Sequence, residues 1–212
     1  MPQTSIKHTD VLILCGGKGS RFSAVRNDIP KTLAHINGKP FLDLLLENLI
    51  LQGFRRIILA TGYLSEQIEE HIDKRNDAEY IVSRETIPLG TGGAIKFAEK
   101  HLGSDQVLVM NGDSWIGYEF YKMILFHKEK KSEITILLSK LTKGEDYGSV
   151  ILSKDGKVIS FSEKNSKANN CYFNSGVYLM DRTLISTCKY GENRSLENDY
   201  LKRWIKKNKF YG

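Results

Sequence analysis

Val11-Leu12-Ile13-Leu14-Cys15-Gly16-Gly17-Lys18-Gly19-Ser20-Arg21, closing downstream on Pro30-Lys31, decides how this chain folds. The unbroken apolar run Val11 to Leu14 reads as a strand buried on both faces, the kind found in parallel sheets. It breaks into a turn with glycine at 16, 17 and 19, where no Cβ keeps an anion away from the backbone N–H groups. Ser20 adds a hydroxyl, and Arg21 and Lys31 add positive charge. Oriented amides beside cations are what a polyphosphate needs. Cys15, Gly16, Gly17, Gly19, Ser20, Arg21 and Lys31 are therefore candidate contacts for a nucleoside triphosphate.

Outward from this loop, apolar runs alternate with amphipathic stretches. Phe41 to Leu51 places Leu42, Leu45, Leu46, Leu49 and Ile50 on one side of a helix. Arg56 to Thr61 reads as a second strand, Ser65 to Arg75 as a helix with Ser65 as its N-cap, and Glu79 to Val82 as a third strand. Helix Gly93 to His101 and strand Gln106 to Met110 follow. This succession predicts an α/β fold, a Rossmann-like doubly wound mixed sheet with ligands beyond the carboxyl ends of its strands. After Trp115 the pieces shorten to Glu133–Ser139, Ser149–Leu152 and Val158–Phe161, with Lys154-Asp155-Gly156-Lys157 as a hairpin turn. These predict a smaller antiparallel lobe within one domain spanning 1–212.

Length and composition narrow the classes. A chain of 212 residues with 41% hydrophobic and 26% charged residues buries a core without disulfides or metals. The net charge of +6 gathers in Lys202-Arg203-Trp204-Ile205-Lys206-Lys207-Asn208-Lys209, which reads as the solvated face of a helix rather than a nucleic-acid patch. Cys15, Cys171 and Cys188 have no zinc-like or CxxC spacing, which fits a reducing cytoplasm. The start of the chain lacks a secretory core and no stretch reaches membrane-spanning length, so no membrane role is expected. A homodimer is the expectation by base rate.

Gly16-Gly17-x-Gly19-Ser20-Arg21 with Lys31 after a proline resembles the signature of the sugar-1-phosphate nucleotidyltransferases. Ser20 stands where that family usually has Thr, and Phe22 where it has Leu or Met. The resemblance implies a nucleotide-binding half over about 10–115 and a sugar-binding half over about 116–212. Arg84-Glu85-Thr86-Ile87-Pro88-Leu89-Gly90-Thr91-Gly92-Gly93-Ala94 is similar to the family's base-pocket segment. Gly90, Gly92 and Gly93 are expected to let backbone approach a flat ring, and Glu85, Gly90 and Thr91 to touch the nucleotide. A carboxylate at Glu85 can accept both N1–H and N2–H2 of guanine, a match the pyrimidines lack, which favours GTP.

Val107-Leu108-Val109-Met110-Asn111-Gly112-Asp113 ends an apolar strand on a carboxylate. The resemblance implies that Asp113 binds Mg2+, a cation that prefers hard oxygen ligands shared with phosphates. It assigns Asn111, Tyr147, Gly148, Glu163 and Asn174 to the sugar, and Lys164 to the sugar phosphate. Arg21, Lys31, Asp113 and Lys164 are the expected catalytic set, and GTP and a sugar 1-phosphate the expected partners. Ser195-Leu196-Glu197-Asn198-Asp199-Tyr200-Leu201 reads as a serine-capped helix start.

Asn27-Asp28-Ile29-Pro30-Lys31 and Ile36-Asn37-Gly38-Lys39-Pro40-Phe41-Leu42 look most like the D-glycero-α-D-manno-heptose 1-phosphate guanylyltransferases, which serve bacterial capsule or surface-layer glycans. Mannose-1-phosphate guanylyltransferases and pyrimidine-specific relatives are the alternatives. Relatives continue into an Asp-x-Gly-Thr-Pro-like segment with a second acidic metal ligand, whereas this chain stops at Phe210-Tyr211-Gly212. A nucleotide-sugar sensor is the corresponding non-catalytic reading. An NAD oxidoreductase fits less well, because no acidic residue closes the strand Arg56 to Thr61.

Overall fold

The computed structural model describes residues 6–17, 28–140, 149–162 and 172–212. Its first strand, β1 (Asp10–Leu14), lies between β4 (Arg56–Thr61) and β6 (Gln106–Asn111), parallel to both. Beyond β4 lies β5 (Glu79–Arg84), again parallel. Beyond β6 the direction reverses: β10 (Tyr172–Asp181) is antiparallel to β6 and also pairs β7 (Ile134–Lys140), outside which β11 (Phe210–Tyr211) lies parallel to β7. The hairpin β8 (Ser149–Leu152) and β9 (Val158–Ser162) joins the start of β10. Together these form one mixed sheet of nine strands, with a two-stranded ribbon of β2 (His35–Ile36) and β3 (Lys39–Pro40) beside it.

Alternation along the strands sends side chains to two faces, and helices cover both. Val11, Ile13, Ile57, Leu59, Leu108 and Met110 pack against α1 (Phe41–Gln52), α2 (Ser65–Ile72) and α4 (Phe120–Lys130). Leu12, Ile58, Val107 and Val109 face the other way, toward α3 (Gly90–Ala98), α5 (Arg182–Ser186) and the C-terminal α6 (Lys202–Lys207). The doubly wound α/β expectation therefore holds, and the antiparallel strands continue the parallel part of the same sheet. In α6 only Trp204 is buried while its lysines face solvent, as the basic run predicts. Among the described residues no helix is long and apolar enough to cross a membrane.

The hairpin turn at Lys154 to Lys157 forms as expected, with Gly156 at φ +85° and its N–H bonded to Ser153 O at 3.0 Å. Ser65 does not cap α2. Leu64, at φ +54°, holds the cap position, and the Ser65 hydroxyl instead meets Thr61 Oγ1 at 2.7 Å and donates to Glu69 Oε1 at 2.7 Å. The hydroxyl thus ties the first turn of α2 to the end of β4. Ser195 does cap its turn, accepting from Asn198 N at 3.1 Å, and the turn that follows (Leu196–Leu201) is a π-helix.

Candidate active site

The parallel strands in chain order, β1, β4, β5 and β6, stand in spatial order β5-β4-β1-β6. Connections leave β1 toward β4 and return on its other side at β6, so the carboxyl ends of β1 and β6 flank the crevice where such sheets bind ligands. A cavity of about 470 Å³ opens there. Cys15, Gly16, Gly17 and Lys31 reach it from the segment after β1, Glu85, Gly90 and Thr91 from the segment after β5, and Asn111 and Asp113 from the end of β6. Nine residues drawn from three separate motifs thus line one cavity. Gly19, Ser20, Arg21, Tyr147, Gly148, Glu163 and Lys164 lie outside the described residues.

Several small residues bring the cationic and anionic groups together. Gly112 donates its N–H to Leu14 O at 3.0 Å, stitching the end of β6 to β1. A Cβ on Gly112 would stand 2.8 Å from Leu14 O and 3.0 Å from Cys15 Sγ, so glycine is what lets the Asp113 turn lie this close. Lys31 Nζ donates to Asp113 Oδ2 at 2.6 Å. Cys15 is buried behind them, and burial, followed by the Asp113 charge, pushes its thiol up to about 12. It is neutral at physiological pH and acts as packing beneath the loop.

Glu85 occupies a slot cut by glycines. A Cβ on Gly16 would come within 3.1 Å of Glu85 Oε1, and one on Gly62 within 2.9 Å. Leu89 N–H donates to Glu85 Oε2 at 3.3 Å. Burial nonetheless holds this carboxyl above its ordinary range. A partly desolvated carboxylate with spare acceptor capacity suits a donor pair on a ligand.

Gly90, Gly92 and Gly93 answer a different demand from the one their motif implies. A Cβ at Gly90 would meet Arg194 O at 2.6 Å, at Gly92 the Tyr200 ring at 2.6 Å, and at Gly93 Glu192 O at 2.5 Å. Gly92 N donates to Arg194 O at 2.8 Å, so the first turn of α3 is closed by the chain's own carbonyl. The ring and backbone that these glycines admit belong to the protein. Gly17 is the converse case, since no described atom lies within 4 Å of the Cβ it lacks.

Asn174 stands apart from the cavity lining. A bulge in β10 shifts its register between Asn174 and Tyr178, with Gly176 at φ +72°. A Cβ on Gly176 would collide with the Asn111 amide, so the bulge packs directly on a cavity residue. Motif reading missed Tyr63 and Asn193, which also line the cavity. Tyr63 had a usable signal, because it follows the end of the strand Arg56–Thr61. Asn193, held to Pro88 O at 3.0 Å, comes from more than a hundred residues away and had none.

Asp113 offers hard oxygen atoms at the cavity rim, which fits a divalent cation shared with phosphate. No group of three or more His, Cys, Asp or Glu among the described residues forms a cage able to hold a metal alone.

The chain is similar to known proteins in both sequence and fold. The D-glycero-α-D-manno-heptose 1-phosphate guanylyltransferase of Aneurinibacillus thermoaerophilus is 37% identical over 96% of this chain and 88% of its own length. The protein of the same name from Campylobacter jejuni is 36% identical over 93% of this chain and 87% of its own. The crystal structure of HddC from Yersinia pseudotuberculosis complexed with GMP-PN superposes with a TM-score of 0.81 at 34% identity, covering 96% of this chain and 88% of that one. Residues 10–209 match the family described as nucleotidyl transferase, and the chain belongs to that family.

Proposed function

We propose that the protein transfers the guanylyl group of GTP to the phosphate of a sugar 1-phosphate, with D-glycero-α-D-manno-heptose 1-phosphate as the sugar, giving GDP-heptose and pyrophosphate. The observation that carries this reading is the convergence of Lys31, Asp113 and Glu85 on one cavity at the strand-order reversal. Strand spacing sets the ends of β5 and β6 about 14 Å apart, room for a nucleotide laid across the sheet. The base edge lies at Glu85, which accepts N1–H and N2–H2 of guanine, and the phosphates lie toward Lys31 and the amide of Gly17.

An oxygen of the sugar phosphate attacks the α-phosphorus, and the bond from that phosphorus to the β-phosphate oxygen breaks, releasing pyrophosphate. A phosphate monoester dianion is already a nucleophile at neutral pH, so the reaction asks the protein for positioning and charge stabilisation. Lys31 and Arg21 neutralise the departing pyrophosphate. Lys164 draws in the second anion, and Asn111, Tyr147, Gly148, Glu163 and Asn174 orient the sugar hydroxyls. Asp113 would hold Mg2+, whose charge offsets that of the phosphate oxygens it binds.

Mass spectrometry of a mixture of protein, GTP, heptose 1-phosphate and Mg2+ tests the reading. It predicts GDP-heptose and pyrophosphate in equal amounts. GTP consumed to GDP or GMP without a nucleotide sugar would overturn it.

A further inference from the structure

Glu197 belongs to none of the motifs that carry the proposed chemistry, yet its carboxylate gathers hydroxyls from three segments. Thr91 Oγ1 and Ser195 Oγ each donate to Glu197 Oε2 at 3.0 Å, and the Tyr178 hydroxyl donates to Glu197 Oε1 at 3.3 Å. Tyr178 is fully buried, and its oxygen in turn accepts from Asn174 Nδ2 at 2.6 Å. Asn174 Oδ1 accepts from Gly176 N at 2.9 Å, and Thr91 Oγ1 accepts from Leu196 N at 2.7 Å. Thr91 lines the nucleotide cavity. A single carboxylate therefore sits between a nucleotide-side residue and a sugar-side residue.

The direction of these bonds is fixed by chemistry. Asn174 Oδ1 must face the Gly176 N–H, so Nδ2 must face Tyr178, whose hydroxyl must then donate onward. Only an acceptor can end that chain, and a carboxylate can end it while accepting from Thr91 and Ser195 as well. With its orientation pinned, Asn174 keeps one amide hydrogen and one carbonyl lone pair for a ligand. Glu197 has no cationic partner among the described residues. A partly buried carboxylate held by hydroxyls alone is a poor device for stability, since an amide or apolar side chain avoids its desolvation.

We infer that Glu197 is a positioning residue that sets Thr91 for the nucleotide and, through Tyr178, Asn174 for the sugar 1-phosphate. The inference rests on the function proposed above. Replacing Glu197 by Gln puts two donor hydrogens among groups that all donate. Either Tyr178 must accept a second time and leave its own hydrogen without an acceptor, which loosens the hold on Asn174, or Thr91 must turn.

The test uses the full chain and two variants, with steady-state kinetics against heptose 1-phosphate and direct titration with a fluorescent GTP analogue. Tyr178→Phe cuts the branch to Asn174 alone, so KM for the sugar 1-phosphate should rise about tenfold while GTP affinity stays within about twofold, the loss expected of one oriented hydrogen bond. Glu197→Gln should weaken both ligands and leave the thermal midpoint near that of the native chain. Equal effects of Tyr178→Phe on both ligands, or none on either, would overturn the inference. So would loss of activity in Glu197→Gln that tracks a fall in midpoint. A native chain that releases no pyrophosphate with any substrate pair would instead overturn the proposed function, which separates the two failures.

Discussion

Lys31 Nζ and Asp113 Oδ2 stand 2.6 Å apart, joining the segments that follow β1 and β6 across the crevice where the strand order reverses. Their side chains are 42% and 44% exposed, so water screens the pair and its contribution to stability is within about 1 kcal/mol. The pair is therefore better placed to meet a ligand than to hold the fold. Lys31→Met and Asp113→Asn should each lower turnover by about 10²–10³-fold, the usual loss for one charge-stabilising group. Denaturation midpoints should stay close to the native value. Near-native turnover in either variant, measured as pyrophosphate release, contradicts the roles given to these residues.

Gly17 separates ligand approach from protein packing. The space its Cβ would fill holds no described atom, so Gly17→Ala should fold as well as the native chain. A methyl group there keeps phosphate oxygens from the backbone amides. KM for GTP should rise by about tenfold, the loss of a hydrogen bond to a charged group. An unchanged KM would place the triphosphate elsewhere.

Gly93→Ala should behave in the opposite way. Within α3, alanine gains about 1 kcal/mol of helix propensity over glycine. Its Cβ, however, lands 2.5 Å from Glu192 O and 2.9 Å from Leu89 Cβ. Relieving such overlap costs about 1–3 kcal/mol, so the net effect is destabilising. Calorimetry should show a lowered midpoint, and a raised one would mean the 192–194 segment does not pack on α3.

Glu85 predicts a pH dependence. Burial raises its folded-state pKa, so the folded protein binds this proton more readily than the unfolded chain does. Stability from this group is present below the unfolded-state pKa and is lost as pH rises through the raised folded-state value. Glu85→Gln removes that cost, and the apo protein should be no less stable at neutral pH. GTP affinity runs the other way. It needs the ionised carboxylate, so it should weaken as pH falls through the raised pKa, at a higher pH than an ordinary carboxylate would give. Titration of GTP across pH 4 to 8 in native and Gln variants checks both signs, using pH values chosen to bracket the carboxylate range.

The parallel half of the fold was legible because strands buried on both faces are written as unbroken apolar runs. Arg56–Thr61 begins and ends where its pattern says, and the site residues cluster at the ends of such runs. What escaped was non-local. Gly90, Gly92 and Gly93 read as clearance for a ligand, while the atoms that require them belong to Glu192, Arg194 and Tyr200, about a hundred residues on. Ser65 had the local signature of a cap, but the nearby Thr61 hydroxyl claimed it. Glu197 read as a first-turn acid on a capped helix, and beyond its neighbour Ser195 its hydroxyl donors, Thr91 and Tyr178, appear only once α3 and β10 are brought together.

The most direct measurement is kcat/KM for pyrophosphate release with GTP, CTP, UTP, dTTP and ATP, each against heptose 1-phosphate, mannose 1-phosphate and glucose 1-phosphate. The account predicts the highest value for GTP with D-glycero-α-D-manno-heptose 1-phosphate, and loss of the preference for GTP in Glu85→Gln. A native enzyme that uses a pyrimidine nucleotide as well as GTP, or a Glu85→Gln variant that keeps the guanine preference, would contradict it.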